Sequence, residues 1–194
     1  PTAAVFAATG ADAIVDHVLV ELRNGSDNTA VVATRTALLQ RDGDVVDVDG
    51  TSPVSIGVPS ANYFVVVRHR NHLSCMTAAA IALGGSSTPV DFTSSGTVVY
   101  GTDARKPVGS VRVLWAGDVT FNDEVKYTGV GNDRDPVLLR IGGTIPTNTV
   151  SGYFVEDVNM DGVVKYTGTG NDRDPILMTV GSTVPTAVRL AQLP

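Results

Sequence analysis

The sequence predicts a mainly β chain, an antiparallel β-sandwich followed by a duplicated unit of loop and short helix. Three observations carry that prediction. Short runs rich in Val, Thr, Leu, Tyr and Phe recur through the first 116 residues, punctuated by turns containing Gly, Asn and Asp. Residues 118–147 recur as 157–186 at a constant offset, which is the mark of two copies of one supersecondary unit. Each copy contains Asn-Asp-Arg-Asp-Pro, then an apolar run, then Gly142 or Gly181. That order supplies a helix start and a helix stop.

Composition bounds the function. The chain has 194 residues, enough for one large domain or two small ones, and 43% hydrophobic residues can supply a core. A net charge of −6 with no basic block excludes nucleic-acid binding, which needs clustered Lys and Arg against phosphate. The single cysteine, Cys75, rules out an internal disulfide and reads as a buried thiol. No apolar run is long enough to span a membrane. The chain opens on Pro1 rather than Met, so the expectation is a processed, secreted polypeptide of the cell surface.

Taken in order, residues 1–14 begin with small apolar side chains and a single large one, Phe6. They read as an N-terminal strand, pairing with its own sheet or donated to a neighbouring subunit. Residues 15–116 form the expected sandwich, with strands near 15–23, 30–40, 45–48, 63–70, 90–92, 97–100 and 111–115. Residues 76–83 fit either a short helix or a strand. Asn24-Gly25-Ser26 is a turn and a formal N-glycosylation sequon, so Asn24 is a candidate glycan attachment point. On a strand His69 and His72 would point to opposite faces, and on a turn they could converge on a metal, but with no Cys, Asp or Glu beside them a structural or surface role is favoured over chelation. No nucleophile elbow, phosphate loop or dinucleotide fingerprint is present, so no enzymatic activity is expected. Trp115 is expected at the boundary with the repeats, near residue 116.

Residues 117–194 hold the chemistry. The second copy reads Asp157, Asn159, Asp161, Gly162. Side-chain oxygens at positions 1, 3 and 5 of a tight curl, a glycine at 6 and a carbonyl at 7 (here Val163) form the first half of a calcium loop. Position 12, normally Glu, is Gly168, and the distal acid shifts to Asp172 or Asp174. The first copy offers Asp118, Thr120, Asn122 and the carbonyl of Glu124, with Asp123 at the glycine position and Asp133 or Asp135 beyond. Fewer charged ligands predict weaker binding there. Asp135 and Asp174 stand directly before proline and read as helix caps or alternative ligands. That leaves Asp133 and Asp172 as the better distal ligands. Asp-rich turns also occur without metal. The duplication at matched spacing favours the metal.

The paired loop-helix unit, with KYTG and GNDRDP in both copies, resembles the dockerin-type and EF-hand-like calcium repeats of large bacterial secreted cell-surface proteins. The resemblance implies calcium as the bound ion and an extracellular location. The functional expectation is a calcium-stabilised structural protein that self-assembles into a filament through N-terminal strand donation. The alternative is a dockerin-like or lectin-like adhesion module with a protein or glycan partner.

Overall fold

The computed structural model describes residues 1–194 as a mainly β chain with antiparallel sheets and two short α-helices. It divides into two compact units. The first comprises Pro1–His69, Ser74–Val113 and Gln192–Pro194; the second comprises Arg70–Leu73 and Leu114–Ala191. No helix is long and apolar enough to cross a membrane.

One six-stranded sheet dominates the first unit. Its strands are β1 (Ile14–Asn24), β2 (Asp27–Gln40), β3 (Val45–Val46), β4 (Ala61–His69), β5 (His72–Met76) and β6 (Ile81–Leu83), in the order β3-β2-β1-β4-β5, with β6 also on β4. β1 is central because its alternate residues Val18, Val20 and Leu22 are buried on one face. Leu22 stands opposite Ala33 on β2 and Val65 on β4. The β1–β2 turn is tight: Asn24 Oδ1 accepts both the N–H and the hydroxyl of Ser26, at 2.9 and 2.8 Å. The ambiguous segment 76–83 holds no helix: Met76 ends β5, Ile81–Leu83 is β6, and residues 77–80 connect them.

No second sheet of comparable size covers this face. Val54, Ile56, Val58, Val90 and Phe92 pack on it from loops instead. Pro53, Pro59 and Pro89 flank those segments, and proline withholds the N–H that a ladder needs. The strands expected at 90–92 and 97–100 do not form. Arg105 holds that region as a loop, donating to the carbonyls of Phe92, Ser94 and Thr97 at 2.6, 3.0 and 2.6 Å. Beyond it β7 (Lys106–Val108) and β8 (Val111–Val113) form a two-stranded ribbon.

The expected N-terminal strand is also absent. Residues Val5–Ala7 and Gly10–Asp12 form 3-10 turns with no buried residue. Small residues without alternation give a strand nothing to bury. Gln40 Nε2 and the Arg41 N–H hold Asp12 O and Ala13 O, at 3.3 and 2.9 Å. His69 is structural: its Nε2 lies 3.1 Å from Asp16 Oδ2, both side chains closed to solvent.

The second unit is built from the repeats. The first contributes β9 (Glu124–Lys126), α1 (Arg134–Arg140) and β10 (Thr149–Ser151); the second contributes β11 (Val163–Lys165), α2 (Arg173–Thr179) and β12 (Val188–Leu190). The copies exchange their tails. β10 of the first pairs with β11 of the second, and β12 of the second pairs with β9 of the first. The threonine of KYTG makes the same exchange: Thr128 Oγ1 donates to Pro185 O at 3.1 Å, and Thr167 Oγ1 to Pro146 O at 2.9 Å. Val125, Val137, Val164 and Ile176 are fully enclosed between the copies, and Trp115 joins that core under the Arg189 guanidinium at 3.5 Å. Each copy alone would leave its side of this core open to water.

Candidate metal centre

Each helix start is a small machine of five residues. The cap is not the aspartate before proline. Asn132 Oδ1 accepts the Asp135 N–H at 2.9 Å, and Asn132 Nδ2 donates to Asp135 Oδ2 at 2.8 Å. Asn171 and Asp174 repeat this at 2.9 and 2.8 Å. This reciprocal pair works like a capping box in which the return bond goes to the asparagine side chain instead of its backbone N–H, and it sits one residue ahead of Asp133 and Asp172, the residues that precede the helices. The hydrogen bond from asparagine lowers the carboxyl pKa of Asp135 and of Asp174. The arginine between them lies over a tyrosine of KYTG, Arg134 over Tyr127 at 5.2 Å and Arg173 over Tyr166 at 5.4 Å.

The remaining aspartate turns back into the loop. Asp172 is fully buried. Its Oδ1 accepts the N–H groups of Val158 and Asn159 at 2.7 and 3.1 Å, and its Oδ2 accepts the Lys165 N–H at 2.8 Å. Asp133 does the same toward Thr120 and Lys126, and the Thr120 hydroxyl also donates to it. At the loop entrance Asp157 accepts the Asp161 and Gly162 N–H groups at 3.1 and 3.0 Å. Asp118 accepts those of Asn122 and Asp123, both at 3.0 Å. Two carboxylates thus close each curl from opposite ends.

The curl is the same in both copies. Positions 4 and 6 are left-handed, with φ of 60° at Met160 and 84° at Gly162, and 54° at Phe121 and 62° at Asp123. Position 6 explains the glycine of the second loop. The other predicted residues lie along the same path. Asn159 Oδ1 accepts the Asp161 N–H and Asp161 Oδ1 accepts the Val163 N–H, both at 2.9 Å. Asn122 Oδ1 accepts the Glu124 N–H at 3.0 Å, and the Glu124 carboxylate pairs with Lys126 at 3.3 Å. Asn24 lies in the first unit, exposed at a hairpin tip.

The electrostatics follow from burial. Burial pushes the Asp172 carboxyl up to about 6, with Asp157 adding to the rise. Burial likewise pushes Asp118 up to about 6, assisted by Asp133 and Asp123, and it raises Asp133. Like charges enclosed together oppose ionisation of both.

The copies differ in what faces the entrance aspartate. At the second, Arg70 donates to Phe154 O and to Asp157 O, the latter at 3.4 Å, and its guanidinium lies 3.9 Å from Asp157 Oδ2. Tyr153 stacks beneath it at 4.5 Å. Asn71 Nδ2 donates to Val155 O and Asp157 O, both at 2.8 Å. Neither residue carries a sequence signal, because both come from the distant β4–β5 turn. Asn132 and Asn171 could have been found, since Asn followed three residues later by an acid is a capping pattern.

No three Asp, Glu, His or Cys side chains converge as a ready-made metal cluster. The loop oxygens are turned toward backbone N–H groups. A carboxylate has about four lone-pair positions, and Asp172 fills three of them with backbone donors while Asp157 fills two. The oxygens left over are hard donors on a tight curl, the chemistry that hard divalent cations take. No protein-family model, curated protein or solved structure matches the chain.

Proposed function

We propose that this chain is a non-catalytic structural module of an extracellular bacterial protein, whose dockerin-like C-terminal unit is stabilised by calcium in its two loops. The observation that carries the reading is the enclosed carboxylate pair of each loop, Asp118 with Asp133 and Asp157 with Asp172. A divalent cation between them would offset the repulsion of two buried like charges. Asn159, Asp161 and the Val163 carbonyl would complete the second site; Thr120, Asn122 and the Glu124 carbonyl would complete the first. A metal that binds only the folded unit stabilises it by linkage. The test is a thermal melt of the whole chain with calcium and with EGTA, beside Asp157→Ala/Asp161→Ala. The wild type should melt higher in calcium, with the double variant losing much of that gain. Equal melts of the wild type in both conditions sink the reading.

A second reading concerns assembly, and one observation favours it. The apolar face of the six-stranded sheet carries a cavity of about 460 Å³, floored by Val20, Leu22, Val65 and Val67. The first ten residues are mostly apolar, and none is buried in its own unit. Donation of this segment to the groove of a second copy would join subunits into a filament. The 3-10 turns would have to open into a strand first. Electron microscopy of the chain with and without residues 1–10 tests this: filaments formed by the truncated chain refute donation.

A further inference from the structure

We propose that Arg70 is a resident cation of the second loop, which orders that loop in the absence of metal and weakens its hold on calcium. The inference rests on the calcium reading and adds a control on one of its two sites. Three observations carry it. The guanidinium is fixed from three sides, by Phe154 O, by Asp157 O and by the Tyr153 ring. Its charge stands 3.9 Å from Asp157 Oδ2, with the two side chains 12% and 4% exposed, so water screens the pair poorly. The equivalent carboxylate of the first loop, Asp118, has a different setting: the position-6 residue whose N–H it accepts, at 3.0 Å, is itself an acid, Asp123.

A guanidinium and a calcium ion compete for the same carboxylate charge. With Arg70 in place, part of what a cation would gain at Asp157 is already realised by the fold. Calcium arriving there also meets a fixed positive charge that cannot leave, because Tyr153 and two carbonyls hold it. The second loop has the richer ligand set, yet it carries the built-in competitor. The first has fewer charged ligands at positions 3 and 5 and depends more on the metal for order.

The experiment is a calcium titration of the full chain followed by NMR at the Gly162 and Asp123 amides, which report the two loops separately. Melts in EGTA and in calcium accompany it. Arg70→Gln should tighten calcium at the second loop about tenfold or more and leave the first unchanged. It should also lower the melting temperature in EGTA and enlarge the rise that calcium produces. Arg70→Lys keeps the charge and should stay near wild type in calcium affinity, even where the lost fork geometry lowers stability. Equal destabilisation in both conditions with unchanged affinity at Gly162 would make Arg70 a mere structural clamp and overturn the proposal. A wild type in which neither amide responds to calcium would instead remove the calcium reading itself.

Discussion

The two repeats share a frame and differ in their loops. KYTG, the Asn-Asp-Arg-Asp-Pro start and the exchanged tail strand keep the same geometry in both copies. Positions 3 to 6 do not keep their residues, since Thr120, Asn122 and Asp123 stand where Asn159, Asp161 and Gly162 stand. Backbone curvature survives the change, because it is held by Asp118 and Asp133 from outside the variable positions. The lesson is a division of labour. The buried aspartates shape the loop, and the residues between them are free to vary without undoing it.

The most damaging test of the shared frame is removal of the inner aspartate. Asp172→Ala leaves the N–H groups of Val158, Asn159 and Lys165 without their acceptor, the first bond buried and the other two partly buried. At roughly 1–3 kcal/mol for each buried donor left unsatisfied, the loss should be about 3 kcal/mol or more. Asp133→Ala should cost a similar amount. Denaturant melts in EGTA measure both. A repeat that tolerates its alanine would show that the two frames are not equivalent.

A pH scan separates frame from metal. Asp118 and Asp172 have folded pKa values near 6, raised above the ordinary 3.8. A folded state that holds protons more tightly is favoured at low pH. The contribution is therefore complete below about 3.8 and is lost as pH rises through about 6. The metal-free chain should melt lower at pH 7 than just above pH 4. Asp47, held down to about 2 by Arg35, acts in the opposite sense and only below that window. Calcium held as proposed would need the ionised carboxylates, so saturating metal should then reverse the slope. A metal-free melting point flat across the window would contradict the buried-pair argument.

Much of this unit was legible in the letters. The repeat, both helices and the importance of Asp133 and Asp172 follow from spacing and from proline. The role of each acid was not, since spacing alone does not say which oxygen reaches which N–H. Asn132 and Asn171 take the capping role expected of Asp135 and Asp174, because the asparagine sits three residues before the first-turn amide. The first unit was less legible. Runs at 90–92 and 97–100 have strand composition, yet Arg105 spends their carbonyls on its guanidinium. Arg70 could not have been assigned at all, because its link to Asp157 crosses 87 positions of sequence.

Caps give a smaller and more even comparison. Asn132→Ala and Asn171→Ala each remove one acceptor for a first-turn N–H and the amide that donates to both a carboxylate and a loop carbonyl, Gly129 O or Gly168 O. Each should lower stability by about 1–2 kcal/mol. The two losses should agree, with or without calcium, because the caps lie on the frame. A cap variant that acts only in the presence of calcium would place the cap in the loop's machinery instead.

The smallest effect falls at position 6 of the first loop. Asp123 adopts φ 62°, where a side chain costs energy and glycine does not. Its carboxylate also raises the pKa of Asp118. Asp123→Gly copies the second loop and removes both burdens, while the backbone bonds from the Asp123 N–H to Asp118 and from the Ala191 N–H to Asp123 O need no side chain. Against this, glycine gives the unfolded chain more freedom. The net gain in EGTA should be about 0.5 kcal/mol, and the Asp118 carboxyl should titrate lower by NMR. Calcium affinity of the first loop moves separately. A rise would mean that the strain of Asp123 limits the site; a fall would mean that its charge supports the site, and that the acid at position 6 replaces the one missing at position 5.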